Sequence, residues 1–156
     1  MEEIRPLASA DEARGCAQMM CSSEPWVTMG RTFDESLAIV KDTSREVYVA
    51  GDAGRLLGFI IINMRGAFIG YIQIVCVDAR ARGGGLGTRL IEFAEQRIFR
   101  DTSNVFLCVS SFNVRARALY ERLGYEKVGE LKNYLIDGAS EILMRKTTGP
   151  LRRRPT

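Results

Sequence analysis

The chain has 156 residues, of which 46% are hydrophobic; this length and composition exclude a disordered protein and suit one domain with a substantial core. Its formal net charge of +3 is accounted for by Arg152, Arg153 and Arg154 in a Pro-flanked tail, so the rest of the chain is neutral, which argues against a nucleic-acid partner. Histidine is absent, which excludes Ser-His-Asp and Cys-His catalysis as usually built and any His-ligated metal site.

The first third of the chain predicts an edge strand over residues 3–7 and then two helices. Each helix start carries a capping box, in which a Ser or Thr side chain caps the first turn and a Glu three residues later reaches back to the cap. The two boxes are Ser9 with Glu12 and Thr32 with Glu35. Apolar residues follow each box at helical spacing, so both helices are expected to pack against a core.

The middle of the chain predicts a sheet that is covered on both faces. Strands are expected over residues 46–50, 56–64 and 67–77, the last two joined by a turn at Arg65 and Gly66. The Ile and Val runs in these two strands are continuous rather than alternating, which indicates burial on both faces. Helices are therefore expected on both sides of the sheet.

A glycine-rich joint links the last of these strands to a helix. Glycine has no Cβ, so several backbone N–H groups can point at one anion, and the start of the next helix favours a phosphate there. The spacing fits neither G-x-x-x-x-G-K-[ST] nor G-x-G-x-x-G. A flexible surface loop is the alternative interpretation. The joint consists of Arg82, Gly83, Gly84, Gly85, Leu86 and Gly87.

The remaining part of the chain predicts a helix, a strand, a second helix and a hairpin. Apolar residues recur every fourth position from Leu86 to Ile98, which places a stripe against the sheet. A strand over residues 105–109 leads to a helix that Asn113 caps and Gly124 ends. The hairpin strands are expected over residues 127–132 and 141–145.

The sequence also carries signals about its compartment. No basic and apolar leader is evident, and the apolar runs are far too short to cross a bilayer. The four cysteines lack C-x-x-C spacing and fall within predicted helices and strands, which indicates buried free thiols. We therefore expect a soluble, cytoplasmic protein without disulfides and without a membrane partner.

Two separated stretches resemble the cofactor site of the GNAT superfamily of N-acetyltransferases. The first is the pattern R-x-x-G-x-G at Arg82, Gly85 and Gly87, between a strand and a helix. The second is the run V-F-L-C-V-S-S-F-N-V-R-A-R-A-L-Y-E-R-L-G-Y, which starts at Val105. The resemblance extends over residues 4–145, and its pattern is similar to the branch that acetylates ribosomal proteins and other N-terminal α-amines.

The resemblance implies an α/β protein with the GNAT fold. In this fold a mixed central sheet of about six to seven strands, with strands 4 and 5 splayed apart, is flanked by about four helices. The resemblance implies a single acetyltransferase domain over residues 1–147, followed by a disordered, Arg-rich tail over residues 148–156. Members of the superfamily often pair, so a homodimer is one expected assembly.

The resemblance also implies acetyl-CoA as the cofactor, no metal ion, and direct attack of a primary amine on the thioester in a ternary complex. The strand before the joint would supply N–H groups to the acetyl carbonyl. Tyr120 is the expected general acid, because a phenol is protonated at neutral pH and can donate to a thiolate; anchoring its helix is the structural alternative. The expected cofactor-binding residues are Val75, Cys76, Val77, Arg82, Gly83, Gly84, Gly85, Leu86, Gly87, Thr88, Asn113, Ala116 and Tyr120.

The acceptor is expected to be an amine-bearing small molecule or a peptide N-terminus. Glu24, Pro25 and Trp26 lie in the loop between the first two helices, which forms one side of the acceptor pocket in the superfamily. Glu24 is expected to be the only carboxylate near the acceptor mouth, where it would attract a cationic amine or relay its proton. Tyr71 would hold a water that accepts the amine's proton. Tyr134, in L-K-N-Y-L, resembles the first Tyr of a peptide-gripping N-Y-Y segment.

The general base is left open by the sequence. Related branches carry Glu or His at the position of Cys108, whose thiol is a poor substitute at its ordinary pKa and suits a small buried hydrophobe. This gap supports a second hypothesis, in which the chain is a non-catalytic acyl-CoA-binding sensor on the same fold.

Overall fold

The computed structural model describes residues 2–52 and 54–156, and within them one seven-stranded sheet carries helices on both faces. In chain order the elements are β1 (Glu3–Pro6), α1 (Ala10–Cys21), α2 (Phe33–Val40), β2 (Glu46–Asp52), β3 (Arg55–Asn63), β4 (Tyr71–Val77), a 3-10 turn (Ala79–Ala81), α3 (Leu86–Ile98), β5 (Asn104–Ser110), α4 (Val114–Arg122), β6 (Glu126–Lys132) and β7 (Ser140–Thr147). The strand order is β1-β2-β3-β4-β5-β7-β6. Only the β4–β5 pair among these described strands is parallel. The expected mixed α/β sheet is confirmed.

Both predicted N-caps are present, but the first capping box is incomplete. The Ser9 hydroxyl accepts a hydrogen bond from the Glu12 N–H at 3.1 Å, as expected. The Glu12 carboxylate, however, accepts from the Ala8 N–H at 2.8 Å and from the Arg5 guanidinium at 2.6 Å instead of reaching the cap's own N–H. The ion pair with β1 draws the carboxylate one residue back and ties α1 to the edge strand. The second predicted box, at the start of α2, is complete in both directions.

The continuous apolar run of β3 is buried on both faces, as its sequence predicted. Phe59 and Ile61 pack with α1 and α2, whereas Ile60 and Ile62 pack with α3 on the other face. All four side chains are fully buried. The sheet therefore carries two separate apolar layers, and β3 is common to both.

β4 begins at Tyr71, four residues later than the predicted strand over residues 67–77. Gly66 and Gly70 both have a positive φ, 85° and 89°, which extended strands exclude. The predicted two-residue turn at Arg65 and Gly66 is therefore the start of a longer loop. Apolar pattern alone did not mark this boundary, because Phe68 and Ile69 are exposed apolar residues within the loop.

β4 and β5 separate soon after they meet. They pair at Tyr71 with Phe106 and at Ile72 with Leu107, and the described residues form no further pair between these strands. β4 continues along β3 as far as Val77, while β5 continues along β7. The predicted splay is thus confirmed, and a gap opens between the C-terminal halves of the two strands.

Gly70 lies at the point from which the strands diverge. Its carbonyl accepts from the Phe106 N–H at 2.9 Å, and a Cβ here would lie 2.5 Å from the Asn104 carbonyl oxygen and 2.6 Å from Ile98 Cγ2. We expect Gly70→Ala to lower the free energy of unfolding by roughly 2–3 kcal/mol, through this overlap and the positive φ. The matched variant Gly66→Ala has the same sign of φ but open space, and should lose about 1 kcal/mol. Urea unfolding measures both, and equal losses would contradict this packing argument.

The C-terminal part forms the predicted hairpin, with β6 and β7 antiparallel and β7 inserted between β5 and β6. Beyond β7, residues 148–156 form neither helix nor strand. None of the helices in residues 2–52 and 54–156 is both long and apolar enough to cross a membrane.

Candidate active site

The diverging halves of β4 and β5 open a cleft of about 760 Å³, a size typical of small-molecule and cofactor sites. β4 and the glycine joint form one wall, and β5 and α4 form the other. The α1–α2 loop and the segment after β6 reach the same cleft. Residues far apart in the sequence thus meet around one cavity.

Of the residues that the sequence singled out for the site, Gly84 alone does not line the cleft. Gly83 and Gly85 on either side of it have a φ of +82°, and the Cβ position of Gly84 instead faces the Ala81 carbonyl oxygen at 3.8 Å. The cleft is lined by Glu24, Pro25, Trp26, Tyr71, Val75, Cys76, Val77, Arg82, Gly83, Gly85, Leu86, Gly87, Thr88, Asn113, Ala116, Tyr120 and Tyr134.

The glycine joint leaves the first turn of α3 open to a ligand. Gly85 is the N-cap and has no side chain that could accept a hydrogen bond, so no N-cap side chain occupies the first N–H groups of the helix. A Cβ on Gly83 or Gly85 would meet nothing within 4 Å, which shows open space around the turn. Free N–H groups and the positive end of the helix dipole together favour a phosphate at this position.

The free edge of β4 supplies further backbone donors. Val75, Cys76 and Val77 pair with β3 on one side, and β5 has already turned away on the other. In an antiparallel pair alternate residues direct their N–H and C=O groups away from the partner strand. This half of β4 therefore presents main-chain hydrogen-bonding groups to the cleft.

α4 places Tyr120 on the opposite wall. The Asn113 side chain caps this helix by accepting from the Ala116 N–H at 3.3 Å, and Tyr120 follows two turns later. Its ring meets that of Tyr125 edge to face, with centroids 6.0 Å apart. Burial raises the pKa of Tyr120 to about 12, so the phenol is protonated throughout the physiological range.

The α1–α2 loop contributes both buried and exposed side chains to the cleft. Trp26 is 8% exposed and belongs to the core under α1 and α2, so it both packs and lines the cavity. The Glu24 carboxylate accepts from the Thr28 N–H at 3.2 Å. Tyr134, from the segment between β6 and β7, is 63% exposed at the mouth.

A second carboxylate lies in this region, and it corrects the expectation that Glu24 is alone. Glu141, at the start of β7, lines the cleft and is 6% exposed. Burial raises the pKa of Tyr71, and the neighbouring Cys108, Glu141 and Tyr134 raise it further. Burial also raises the pKa of Cys108, against the effect of the Tyr71 hydroxyl beside it. These side chains come from β4, β5, β7 and the β6–β7 segment. Together they form a cluster of polar side chains that lines one part of the cleft.

Two arginine side chains of α4 line the cleft and were not singled out from the sequence, unlike Arg82. Arg115 and Arg122 lie on α4, and both line the cavity together with Arg82. The signal was available, because a spacing of seven residues places Arg115 and Arg122 on one side of a helix. Guanidinium groups favour phosphate oxygens, so they add positive charge suited to an anionic ligand.

Comparisons with known proteins agree with this geometry. A family model described as the acetyltransferase (GNAT) family matches residues 13–125. The N-alpha-acetyltransferase RimI of Mycobacterium tuberculosis is 30% identical over 94% of this chain and 92% of its own length. A blasticidin-S acetyltransferase of Streptomyces morookaense is 29% identical over 64% of this chain and 72% of its own.

A solved structure shares the fold along nearly the whole chain. An aminoglycoside 6'-N-acetyltransferase complexed with coenzyme A superposes with a TM-score of 0.75 at 20% identity and covers 99% of both chains. At this identity the similarity establishes the arrangement of strands and helices only.

Proposed function

Since the chain belongs to the GNAT acetyltransferase family and is therefore an acetyl-CoA-dependent N-acetyltransferase, we propose that it acetylates the α-amino group of a peptide or protein by direct attack in a ternary complex. The observation that carries this proposal is the cleft between β4 and β5, where the glycine joint and Tyr120 meet a polar, carboxylate-bearing region.

The residues present fit acetyl-CoA. The uncapped first turn of α3 and the open space around Gly83 and Gly85 suit the diphosphate. The free edge of β4 suits an amide-bearing pantetheine arm and the acetyl carbonyl, which would accept from N–H groups around Cys76. Ala116, small and on the cleft side of α4, leaves room for the arm. Bound acetyl-CoA supplies an activated acetyl thioester.

Tyr120 and Tyr71 are proposed to handle protons at opposite sides of the reacting centre. Tyr120 holds its proton at neutral pH and donates it to the departing sulfur. Tyr71, whose pKa is raised by burial, stays a neutral phenol that orients water or the amine by hydrogen bonding. Glu24 attracts a cationic amine towards the mouth of the cleft.

The preference for a peptide N-terminus rests on two features. The relative that matches this chain almost from end to end is named an N-alpha-acetyltransferase. Tyr134 is exposed at the cleft mouth, where its ring can lie along an extended peptide. A small amine is the second candidate, because Leu135 stands beside Tyr134 where a second Tyr would grip the peptide, and because the blasticidin-S acetyltransferase is also similar.

Thiol release from acetyl-CoA in the presence of an acceptor panel tests the proposal. We expect release with peptides that have a free α-amine and none with the same peptides blocked at the N-terminus. Small amines form the comparison arm. Release with small amines alone would replace the peptide assignment by the second candidate, and no release with any amine would contradict both.

A further inference from the structure

Glu141 is a buried carboxylate whose position the fold does not explain by packing. It lies on β7 opposite Ser110 of β5 and opposite Leu131 of β6. Its neighbours along β7, Ile142 and Met144, belong to the core with α3, so the alternation of a strand directs Glu141 to the other face. That face carries Cys108 and Ser110 and opens into the cleft.

The strand register places Glu141 beside the expected reacting centre. Tyr71 of β4 pairs with Phe106 of β5, and Val75 and Ser110 each lie four residues further along their strands. The two strands run in the same direction, so Val75 and Ser110 reach a similar level on opposite sides of the gap. Glu141, directly opposite Ser110, is therefore level with the part of β4 that presents its N–H groups to the cleft.

The carboxylate lacks the partners that a buried structural carboxylate has. Glu95, which is similarly buried, accepts from the Tyr125 hydroxyl at 3.0 Å and from Lys146 Nζ at 2.9 Å. Within residues 2–52 and 54–156, Glu141 forms no ion pair with a Lys or Arg. Its polar neighbour is the Ser110 hydroxyl, which is buried and has no other hydrogen-bond partner among the described residues.

The groups beside Glu141 supply no positive charge. They are Tyr71 from β4 and Cys108 and Ser110 from β5. Burial raises the pKa of Glu141, and the Ser110 hydroxyl opposes this shift. A buried carboxylate without a cation reduces stability, unless a cation arrives with a ligand.

We propose that Glu141 is the group that binds the incoming ammonium and takes its proton, and so is the general base of the reaction. The inference rests on the proposed acetyl transfer and deepens it. The ammonium proton moves to the Glu141 carboxylate; the amine lone pair then forms the bond to the acetyl carbon, the carbon–sulfur bond breaks, and the sulfur receives the Tyr120 proton. The second amine proton restores the Tyr120 phenol through water, and Glu141 releases its proton to solvent.

The test compares Glu141→Gln with the wild type and with Glu126→Gln, which makes the same change on exposed β6 outside the cleft. We expect Glu141→Gln to lower kcat for the best acceptor at least about 100-fold at neutral pH. The plot of kcat against pH should also lose its acid limb, the fall in rate that protonation of the base causes at low pH. The affinity for acetyl-CoA should stay within about twofold, because Glu141 lies on the acceptor side. Glu126→Gln should match the wild type throughout.

Two further variants keep the proposal testable if Glu141→Gln folds poorly. Glu141→Asp keeps the charge and should retain more activity than Gln. Ser110→Ala removes the hydroxyl that lowers the pKa of Glu141, so the acid limb should move to higher pH.

Thermal unfolding gives an independent readout of the charge. Because the pKa of Glu141 is raised in the folded state, the unfolded chain ionises first as the pH rises, and the wild type loses stability as the pH rises from the ordinary carboxyl pKa of about 4 through the raised pKa of the folded state. The Tm of Glu141→Gln minus the Tm of the wild type should therefore increase as the pH rises over that interval.

The outcomes separate this inference from the proposed function. If the wild type acetylates amines and Glu141→Gln keeps kcat and the acid limb, the base assignment is wrong while the function stands. A rise in acceptor KM with unchanged kcat would also overturn it, since Glu141 would then only bind the cation. If the wild type acetylates no amine, the function itself fails.

Discussion

Replacing Tyr120 with Phe is expected to lower kcat for acetyl transfer by roughly 100- to 10,000-fold, the usual contribution of a general acid. The variant keeps the ring and its edge-to-face contact with Tyr125, so α4 and the cleft wall should be preserved. Without the hydroxyl, the departing sulfur must take its proton from water. Acetyl-CoA affinity, measured by calorimetry, should change little, because the phenol proton is needed only as the bond breaks.

Tyr125→Phe is the matched control. It removes a hydroxyl from the adjacent ring, but that hydroxyl donates to Glu95 within the core and does not reach the cleft. The control should lose about 1 kcal/mol of stability and keep its kcat. If Tyr120→Phe retained wild-type turnover, Tyr120 would be only a packing residue, and the alternative of a sensor would gain support if the wild type were inactive as well.

Introducing a carboxylate into the expected phosphate site should raise the stability of the protein while weakening its binding of acetyl-CoA. Gly87 has an ordinary helical φ, and a Cβ there meets Val77 Cγ2 at 3.8 Å, so the first side-chain atom of Gly87→Glu fits without overlap. A carboxylate in the first turn of α3 interacts favourably with the helix dipole, and the substitution removes a glycine, which has a low helix propensity. The free energy of unfolding should therefore rise by roughly 1 kcal/mol. The same charge should weaken acetyl-CoA binding at least about 100-fold, since like charges about 4 Å apart repel by several kcal/mol near a protein surface.

The control for this charge is Gly129→Glu on β6. A Cβ there meets nothing within 4 Å, and Gly129 does not line the cleft. It should leave the Kd for acetyl-CoA unchanged. A Gly87→Glu protein that bound acetyl-CoA as tightly as the wild type would show that the diphosphate lies elsewhere.

The parts of the fold that the sequence predicted well depend on local signals. The caps at Ser9 and Thr32 and the continuous Ile run of β3 are encoded in a few neighbouring residues. The start of β4 was misplaced because exposed Phe68 and Ile69 mimic strand residues. Their loop is set by the positive φ of Gly70, which a sequence does not display.

Site residues that belong to a contiguous sequence motif could be predicted. Site residues that only the strand order of the sheet brings together could not. The glycine joint and the interval from Asn113 to Tyr120 are contiguous patterns, and the residues concerned face one cleft, apart from Gly84. Glu141 was overlooked because its role depends on β7 lying next to β5, an insertion that local pattern cannot show. The signal available in the sequence was weak, because it consisted only of a charged residue, Glu141, directly before the apolar residues of β7.

If the cleft between β4 and β5 delivers an acetyl group to a primary amine, mass spectrometry of the acceptor should detect the acetylated product. After incubation with acetyl-CoA, a peptide with a free N-terminus should gain one acetyl group on its α-amine with wild-type protein and Glu126→Gln, and far more slowly with Tyr120→Phe. If acetyl-CoA were consumed while every amine offered kept its original mass, the protein would not be an amine acetyltransferase. If Tyr120→Phe acetylated the acceptor as fast as the wild type, Tyr120 would not be the general acid.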